Sequence, residues 1–260
     1  MEGPRATDRM LVLTAFADNY VYLYTYAEGR AVVIDPGDPE VVLQAVRSRG
    51  LELTAALATH HHSDHVAGME GLTQATGCQV IGSDQRIRGM DRVVQGGDHL
   101  QFGDRSIEVL ASPGHTHTGV SYHLLAAGED EASILWTGDT LFVGGCGRLF
   151  ECDAATLWRT LQGLAGLPAK TQVCGGHNYT EENYRFALTV EPANAAIQAA
   201  LDAAIQADQA TRPITSTIEA ERRTNVFLRA DQPEVARALG MAQAPAHLVF
   251  AELRHRKDVF

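Results

Sequence analysis

Cysteine is scarce in this sequence, which excludes a fold held together by a disulfide framework. The 260 residues include only Cys78, Cys146, Cys152 and Cys174, and no two of these form a CxxC pair. Disulfide-rich domains carry a denser set of cysteines in a shorter chain. We therefore expect free thiols and a reducing compartment, the cytoplasm.

Long apolar runs are absent from the sequence as well. No segment approaches the roughly 20 consecutive apolar residues that a membrane-spanning helix needs. At the N-terminus, Met1 to Arg9 mixes acidic and basic residues with Pro4, which matches neither a signal peptide nor an acid-free transit peptide. The sequence therefore predicts no membrane partner.

Basic residues are in deficit. The chain has 21 Lys and Arg against 32 Asp and Glu, so its formal net charge is -11. Proteins that bind nucleic acid usually neutralise its phosphates with a basic surface. Nucleic acid is therefore disfavoured as a partner, although Arg254 to Lys257 forms a locally basic segment near the C-terminus.

Up to about residue 177, short apolar runs end repeatedly in clusters of Gly, Pro, His or Asp, as strands do where they enter turns. Functional residues are often carried by loops that a rigid scaffold holds. We therefore expect the polar residues of these turns to converge at one edge of a layered sheet. The five segments that show the pattern are Ala31 to Gly37, Leu53 to His60, Ile107 to His115, Ile134 to Asp139 and Gln172 to His177.

Beyond residue 180 the composition changes to helix formers. Ile197, Leu201 and Ile205 recur every four residues within a segment rich in Ala and Gln, which predicts an amphipathic helix. Pro233 fits the first turn of a second helix, and Pro245 precedes a third. The sequence therefore predicts a small helical region at the C-terminus.

Four of the eleven histidines fall within six residues, in the segment Thr59-His60-His61-His62-Ser63-Asp64-His65. Such short spacing favours two adjacent metal sites over one closed structural site. We expect His60 and His62 to face one ion, and Asp64 and His65 to face a second. Imidazole and carboxylate ligands suit several divalent metals, so the ligand types leave the metal open. Zinc is the expected ion, with iron or manganese as alternatives.

Three later turns contain the remaining candidate ligands, His115, Asp139 and His177. If two ions share Asp139, each ion then has four protein ligands. Open coordination positions would remain, which is what separates a catalytic metal site from a structural one. Asp35 has two open interpretations, as a carboxylate partner of a ligand histidine or as a turn former. The predicted ligands of one ion are His60, His62, His115 and Asp139, and those of the other are Asp64, His65, His177 and Asp139.

The pattern HxHxDH followed by separate His, Asp and His resembles the metallo-β-lactamase superfamily. The resemblance covers roughly the first 180 residues. It implies an α/β fold, the αβ/βα four-layer sandwich, with the metals at one edge. It also implies a catalytic domain at residues 1–178, which leaves a small helical C-terminal domain at residues 179–260.

Further segments resemble one branch of that superfamily, glyoxalase II, over nearly the whole chain. The resemblance implies a thioesterase that hydrolyses S-(2-hydroxyacyl)glutathione, such as S-D-lactoylglutathione, to glutathione and a 2-hydroxy acid in methylglyoxal detoxification. Asp64 and Asp139 would act catalytically, by positioning the water that the ions activate. The segments are Ala15 to Tyr20, Thr59 to Gly68, Thr137 to Arg148, Gly176 to Thr180, Asn225 to Arg229 and Arg254 to Asp258.

The same resemblance implies five glutathione contacts, at Arg148, Phe150, Tyr179, Arg254 and Lys257. Glutathione brings two carboxylates, which cationic side chains hold through charge-assisted hydrogen bonds. The family often has Lys in place of Arg148 and Tyr in place of Phe150. In this chain one basic contact is therefore a guanidinium instead of an ammonium, and one aromatic contact lacks a hydroxyl.

Three alternatives compete with this assignment. A glutathione persulfide dioxygenase would keep one iron and would typically lack the helical C-terminal domain. Another hydrolase of the metallo-β-lactamase fold, such as a lactamase or lactonase, would lack the basic C-terminal residues. A non-catalytic metal-binding module would more often have lost ligands. The expected partner is thus a small glutathione thioester, bound by a monomeric enzyme.

Overall fold

The computed structural model describes residues 9–128 and 131–260 of the chain. These residues form two compact units. The first contains the chain up to Ala111 together with Thr118–Gly138, and the second contains Ser112–His117 together with Asp139–Phe260. The domain boundary expected after residue 178 stays a prediction. Residues 1–8, which belong to the segment that bears on targeting, lie outside the described residues.

The first unit begins with a six-stranded sheet whose strands lie in chain order. The first three strands pair antiparallel, and the last four pair parallel. Parallel neighbours need a long crossover connection, and helices lie in two of these connections. The strands are β1 (Met10–Ala15), β2 (Asn19–Ala27), β3 (Arg30–Ile34), β4 (Glu52–Leu57), β5 (Gln79–Gly82) and β6 (Arg92–Val93).

The helices of the first unit are α1 (Pro39–Arg49), α2 (Ser63–Val66) and α3 (Met69–Thr76). Helix α1 has a capping residue at each end. Asp38 caps its start by accepting a hydrogen bond from the backbone N–H of Glu40, and Gly50 ends it with a φ of 62°. Val42 and Val46 lie on its buried face and join the core of the first sheet.

Four more strands of the first unit pair antiparallel in the order β7, β8, β9, β10. The first sheet contacts them through large side chains. The rings of Tyr24 and Trp136 lie 5.7 Å apart, and the hydroxyl of Tyr122 donates to the carbonyl of Ala58. The core of the unit therefore lies between two sheets. The strands are β7 (His99–Phe102), β8 (Arg105–Ala111), β9 (Val120–Leu124) and β10 (Ile134–Gly138).

Gly138, the last residue of β10, allows a close approach between this strand and the loop after β4. Its φ is 48°, and a Cβ at this position would lie 2.1 Å from Oγ1 of Thr59. No other residue type could occupy the position without displacing Thr59.

The second unit is mainly helical, as the sequence predicts. Ile197 and Leu201 are buried on one helix, and Pro233 and Pro245 stand at the starts of two others. Its strands are β11 (Leu141–Phe142), β12 (Gly145–Cys146), β13 (Gln172–Gly175) and β14 (Ser216–Thr217). Its helices are α4 (Ala154–Ala165), α5 (Thr180–Val190), α6 (Ala195–Gln209), α7 (Ile218–Thr224), α8 (Pro233–Ala238) and α9 (Ala246–Asp258).

Within residues 9–128 and 131–260, none of the helices is both long and apolar enough to span a membrane.

Leu57 ends β4 directly before the histidine-rich segment, and its side chain is fully buried. We expect Leu57→Ala to lower the free energy of unfolding by about 2–5 kcal/mol, because the substitution leaves a cavity in the core. Leu248→Ala removes the same atoms from a side chain that is 47% exposed and should cost about 0.5 kcal/mol or less. Urea unfolding followed by circular dichroism measures both, and equal losses would contradict the placement of Leu57.

Candidate functional site

The histidine-rich segment forms a loop that follows β4 and passes into α2. His60 and His65 are buried, while His62 and Asp64 are partly exposed. Nε2 of His60 lies 3.1 Å from Nδ1 of His62, and Nε2 of His65 lies 3.3 Å from Oδ2 of Asp64. Two ligand atoms that each lie about 2.0–2.1 Å from one tetrahedral ion are about 3.3 Å apart. Both pairs therefore have a spacing that suits metal binding.

Asp35 contacts one of these histidines directly. Its carboxylate accepts hydrogen bonds of 2.7 Å from the backbone N–H and the hydroxyl of Thr59, and Oδ2 lies 3.1 Å from Nδ1 of His65. A carboxylate can only accept, so Nδ1 of His65 carries the proton and Nε2 presents a lone pair. The geometry favours the interpretation of Asp35 as a carboxylate partner, and its φ of 52° shows that it also forms a turn.

Asn19 holds the carboxylate of Asp64. Its Nδ2 donates to Oδ2 of Asp64 over 2.9 Å. Sequence spacing does not single out Asn19, because the contact joins residues 45 positions apart. Its one signal in the sequence is its place in the segment Ala15 to Tyr20, which resembles glyoxalase II.

The three later ligand candidates lie together in the second unit. Oδ2 of Asp139 lies 3.5 Å from Nε2 of His115 and 3.5 Å from Nε2 of His177. One carboxylate oxygen at equal distance from two imidazoles is the arrangement expected of a ligand shared by two ions. Nδ1 of His115 donates to the backbone carbonyl of Arg148 over 2.9 Å, so its Nε2 also presents a lone pair.

The seven predicted ligands thus form two sets, with four side chains in the first unit and three in the second. Every donor is an imidazole nitrogen or a carboxylate oxygen, and these ligand types fit a divalent transition metal. Within each set, the donor atoms form pairs that are 3.1–3.5 Å apart, a separation that two ligands of one ion would have. The individual assignments to one ion or the other stay predictions.

A pocket of about 260 Å³ in the second unit contains all five residues predicted to contact glutathione. Phe150 and Arg148 are exposed, whereas Arg254 and Lys257 are buried although charged. The ring of Tyr179 stacks on the imidazole of His177 at 4.9 Å. The residues that line the pocket include Arg148, Phe150, Tyr179, Arg254, Lys257, His115, Asp139, Cys146 and Glu182.

Each cationic side chain of this pocket lies close to a carboxylate. Oδ1 of Asp258 lies 3.0 Å from Nη2 of Arg254 and 3.9 Å from Nε of Arg148, and the ammonium of Lys257 donates to the carboxylate of Glu182. A buried charge without a partner would be costly. The sequence does not single out Glu182, because the residue that gives it a role lies 75 positions away.

Cys146 also lines the pocket, and its side chain is buried. Its backbone carbonyl accepts a 2.8 Å hydrogen bond from Nη1 of Arg254. Burial raises the pKa of the Cys146 thiol to about 11, although the nearby guanidinium of Arg254 opposes this shift. The thiol is therefore protonated at neutral pH.

Glu221 and Asn225 hold the hairpin of β11 and β12, which connects Asp139 to Arg148. Oε2 of Glu221 accepts 2.9 Å hydrogen bonds from the backbone N–H of Gly144 and from Nδ2 of Asn225. Both side chains are fully buried. Burial raises the pKa of Glu221 to about 6, and the hydrogen bonds that its carboxylate accepts only partly offset this.

Two family models together match nearly the whole chain. A model described as "Metallo-beta-lactamase superfamily" matches residues 16–88 and 82–177, and one described as "Hydroxyacylglutathione hydrolase C-terminus" matches residues 178–260. The hydroxyacylglutathione hydrolase of Methylococcus capsulatus is 42% identical and covers 96% of this chain and 98% of its own. That of Rhodospirillum rubrum is also 42% identical, with coverages of 95% and 97%.

Solved structures show the same architecture. ETHE1 from Myxococcus xanthus superposes with a TM-score of 0.65 at 27% identity, over 96% of this chain and 98% of that one. TTHA1623 in a di-iron-bound form superposes with a TM-score of 0.59 at 26% identity, over 84% of this chain and 99% of that one. The predicted fold class is therefore confirmed.

The raised pKa of Glu221 has a measurable consequence. A carboxyl whose pKa rises from its ordinary 4.5 to about 6 on folding contributes stability below pH 4.5 and loses it as the pH rises through 6. Relative to Glu221→Gln, the unfolding free energy of the unmodified protein should fall by about 2 kcal/mol between pH 4 and pH 7.5. The metal ligands are common to both proteins, so their titration cancels. Glu219→Gln, at an exposed neighbour, should show no such difference, and a flat difference for Glu221→Gln would contradict the shift.

Proposed function

This chain belongs to the hydroxyacylglutathione hydrolase family, and on that premise we propose that it hydrolyses S-(2-hydroxyacyl)glutathione thioesters, such as S-D-lactoylglutathione. The products are glutathione and a 2-hydroxy acid. One observation carries the proposal: the residues expected to hold glutathione line a single pocket together with His115 and Asp139. A thioesterase needs this arrangement, because the bound thiol carrier must present its carbonyl to the reacting centre.

Two divalent ions are the proposed cofactors. The sets of His and Asp donors support metal binding, and the position of Asp139 between His115 and His177 supports a shared carboxylate. Zinc is the expected metal. Iron is an alternative favoured by the likeness to TTHA1623 in a di-iron-bound form, and manganese is a third. When bound, such ions acidify a water molecule and polarise a carbonyl.

The side chains of this protein prepare that chemistry in definite ways. Asp35 keeps the proton of His65 on Nδ1, and the carbonyl of Arg148 does the same for His115. Asp64, oriented by Asn19, and Asp139 are the proposed catalytic carboxylates that position the attacking water. The leaving glutathione thiolate has an ordinary thiol pKa of about 8.5, so no strong general acid is needed.

Glutathione is the proposed ligand of the pocket. Arg254, Lys257 and Arg148 would hold its two carboxylates through charge-assisted hydrogen bonds. Tyr179 and Phe150 would contact its backbone with their rings. Arg148 and Phe150 are the most exposed of the five residues, which supports a larger energetic contribution from the buried Arg254 and Lys257.

The match of residues 178–260 to the hydroxyacylglutathione hydrolase model favours this activity over a persulfide dioxygenase or another hydrolase of the same fold. We also infer a cytoplasmic location, which the free thiols of Cys78, Cys146, Cys152 and Cys174 support. A monomer stays the predicted state.

Thioester hydrolysis tests the proposal directly. Purified protein with measured metal content is given S-D-lactoylglutathione, and the loss of thioester absorbance is followed. We expect steady turnover with one glutathione released per thioester. Absence of hydrolysis, with oxygen consumed on glutathione persulfide, would instead identify the dioxygenase.

Asp139→Ala should lose at least one metal ion per chain, and its kcat/KM should fall by about 10³-fold or more, because a shared ligand and a positioning carboxylate disappear together. Metal analysis and the thioester assay measure the two effects. Asp139→Asn preserves the shape of the side chain and controls for folding, and Asp202→Ala, at an exposed position of α6, should change neither quantity. Full metal content with full activity in Asp139→Ala would refute the shared-ligand assignment.

Lys257→Ala and Arg254→Ala should each raise the KM for S-D-lactoylglutathione by about tenfold, because each removes a cation from the proposed carboxylate site. Arg256 is an exposed neighbour on α9 that pairs with Glu252, so Arg256→Ala is the matched control and should leave KM unchanged. An unchanged KM in both pocket variants would argue against glutathione as the ligand.

A further inference from the structure

Glu182 places a negative charge inside the pocket proposed for glutathione. It lies in the first turn of α5, lines the pocket, and accepts a hydrogen bond from the ammonium of Lys257. A ligand with two carboxylates therefore meets a cation that already has a carboxylate partner.

The two members of this ion pair differ strongly in exposure. The side chain of Lys257 is 7% exposed, whereas that of Glu182 is 61% exposed. The ammonium of Lys257 also lies 5.3 Å from the centre of the Phe260 ring. A buried ammonium cannot lose its partner without a large desolvation cost. An exposed carboxylate can turn into water at little cost, so Glu182 is the member that can leave.

Arg254 is held in a different way. Its carboxylate partner, Asp258, lies four residues later on the same helix, and the guanidinium also donates to the carbonyl of Cys146. Asp258 is thus tied to Arg254 by the helix itself. Glu182 reaches Lys257 from a separate helix, so their contact can open while both helices stay in place.

We propose that Glu182 is a specificity residue of the pocket, which pairs with Lys257 when the pocket is empty and is displaced by a carboxylate of the ligand. The inference rests on the proposed glutathione thioesterase function. A ligand carboxylate re-forms the ion pair that Glu182 gives up, whereas a ligand without a carboxylate leaves Lys257 paired with Glu182. Selectivity then comes from a competing contact as well as from an attractive one.

The chain offers a matched control at the preceding residue. Glu181 lies beside Glu182 on α5, and its carboxylate pairs with Arg185 at 2.6 Å, one turn along the same helix. Glu181→Gln and Glu182→Gln remove the same charge at adjacent positions. Only the second removes the partner of Lys257, and a Gln side chain can still accept a hydrogen bond from that ammonium.

Glutathione binding by calorimetry and the KM for S-D-lactoylglutathione test the proposal in the full-length, metal-loaded protein. We expect Glu182→Gln to bind glutathione about two- to fivefold more tightly and to lower KM by a similar factor, since the exposed carboxylate of Glu182 no longer has to be displaced from Lys257. Its affinity should also depend more steeply on salt, because the pocket carries one more net positive charge. Glu181→Gln should match the unmodified protein in all three measurements, and glutathione diethyl ester should gain nothing from either variant.

The outcomes separate this inference from the proposed function. Unchanged glutathione affinity in Glu182→Gln overturns the inference, and so does weaker binding, which would make Glu182 a contact for the ammonium group of the ligand. An equal gain for glutathione diethyl ester also overturns it. If the unmodified protein binds glutathione but does not hydrolyse the thioester, the proposed function fails. The glutathione affinity of Glu182→Gln relative to that of the unmodified protein still decides the role of Glu182. No glutathione binding by either protein overturns both.

Discussion

The hydrogen bonds to the buried carboxylate of Asp35 hold the predicted metal ligands of the first unit in place. This residue stands directly after β3 and accepts hydrogen bonds from Thr59, which follows β4, and from His65 in α2. A carboxylate removed from water must fill its acceptor positions with protein donors. The side chain of Asp35 thereby links the ends of two parallel strands and orients the ring of His65, a predicted metal ligand. Gly138 packs closely against the same Thr59 from β10, so the ends of three strands meet around Thr59.

The second unit keeps several cations in one pocket, although the protein as a whole carries excess negative charge. Arg254 and Lys257 come from α9, and their carboxylate partners come from α9 and α5. The hairpin between Asp139 and Arg148 is held from behind by Glu221 and by Asn225. Asp139 and Arg148 stand at the two ends of this supported hairpin, while Arg254 and Lys257 stand on α9, and all four side chains line the same pocket.

Much of the candidate site and of the helical C-terminal region could be predicted from the sequence, because the informative residues are close together or stand at turns. The segment from His60 to His65 shows its chemistry through spacing alone, and the helical repeat of Ile197 and Leu201 is local as well. His115, Asp139 and His177 are separated, yet each follows a strand and sits beside glycine. The five residues proposed to contact glutathione are predictable only from the family resemblance, because their spacing in the sequence shows no pattern.

Asn19, Glu182 and Glu221 could not be predicted in the same way. Each gains its role from a partner 45 to 77 positions distant, and nothing in the local pattern distinguishes these residues from ordinary surface or core polar groups. Two adjacent glutamates on α5 illustrate the limit. Glu181 pairs with its own helix and Glu182 with a distant one, although the sequence presents them as equivalent.

The thiol of Cys146 has a consequence for redox chemistry. It lines a pocket proposed to hold glutathione, whose oxidised form exchanges disulfides with any accessible thiolate. Burial raises the pKa of this thiol to about 11, so very little of it is ionised at neutral pH, and the thiolate is the reactive form. Burial therefore protects the pocket from forming a mixed disulfide with the tripeptide that it is proposed to bind, so an oxidising shift in the glutathione pool would leave the site open.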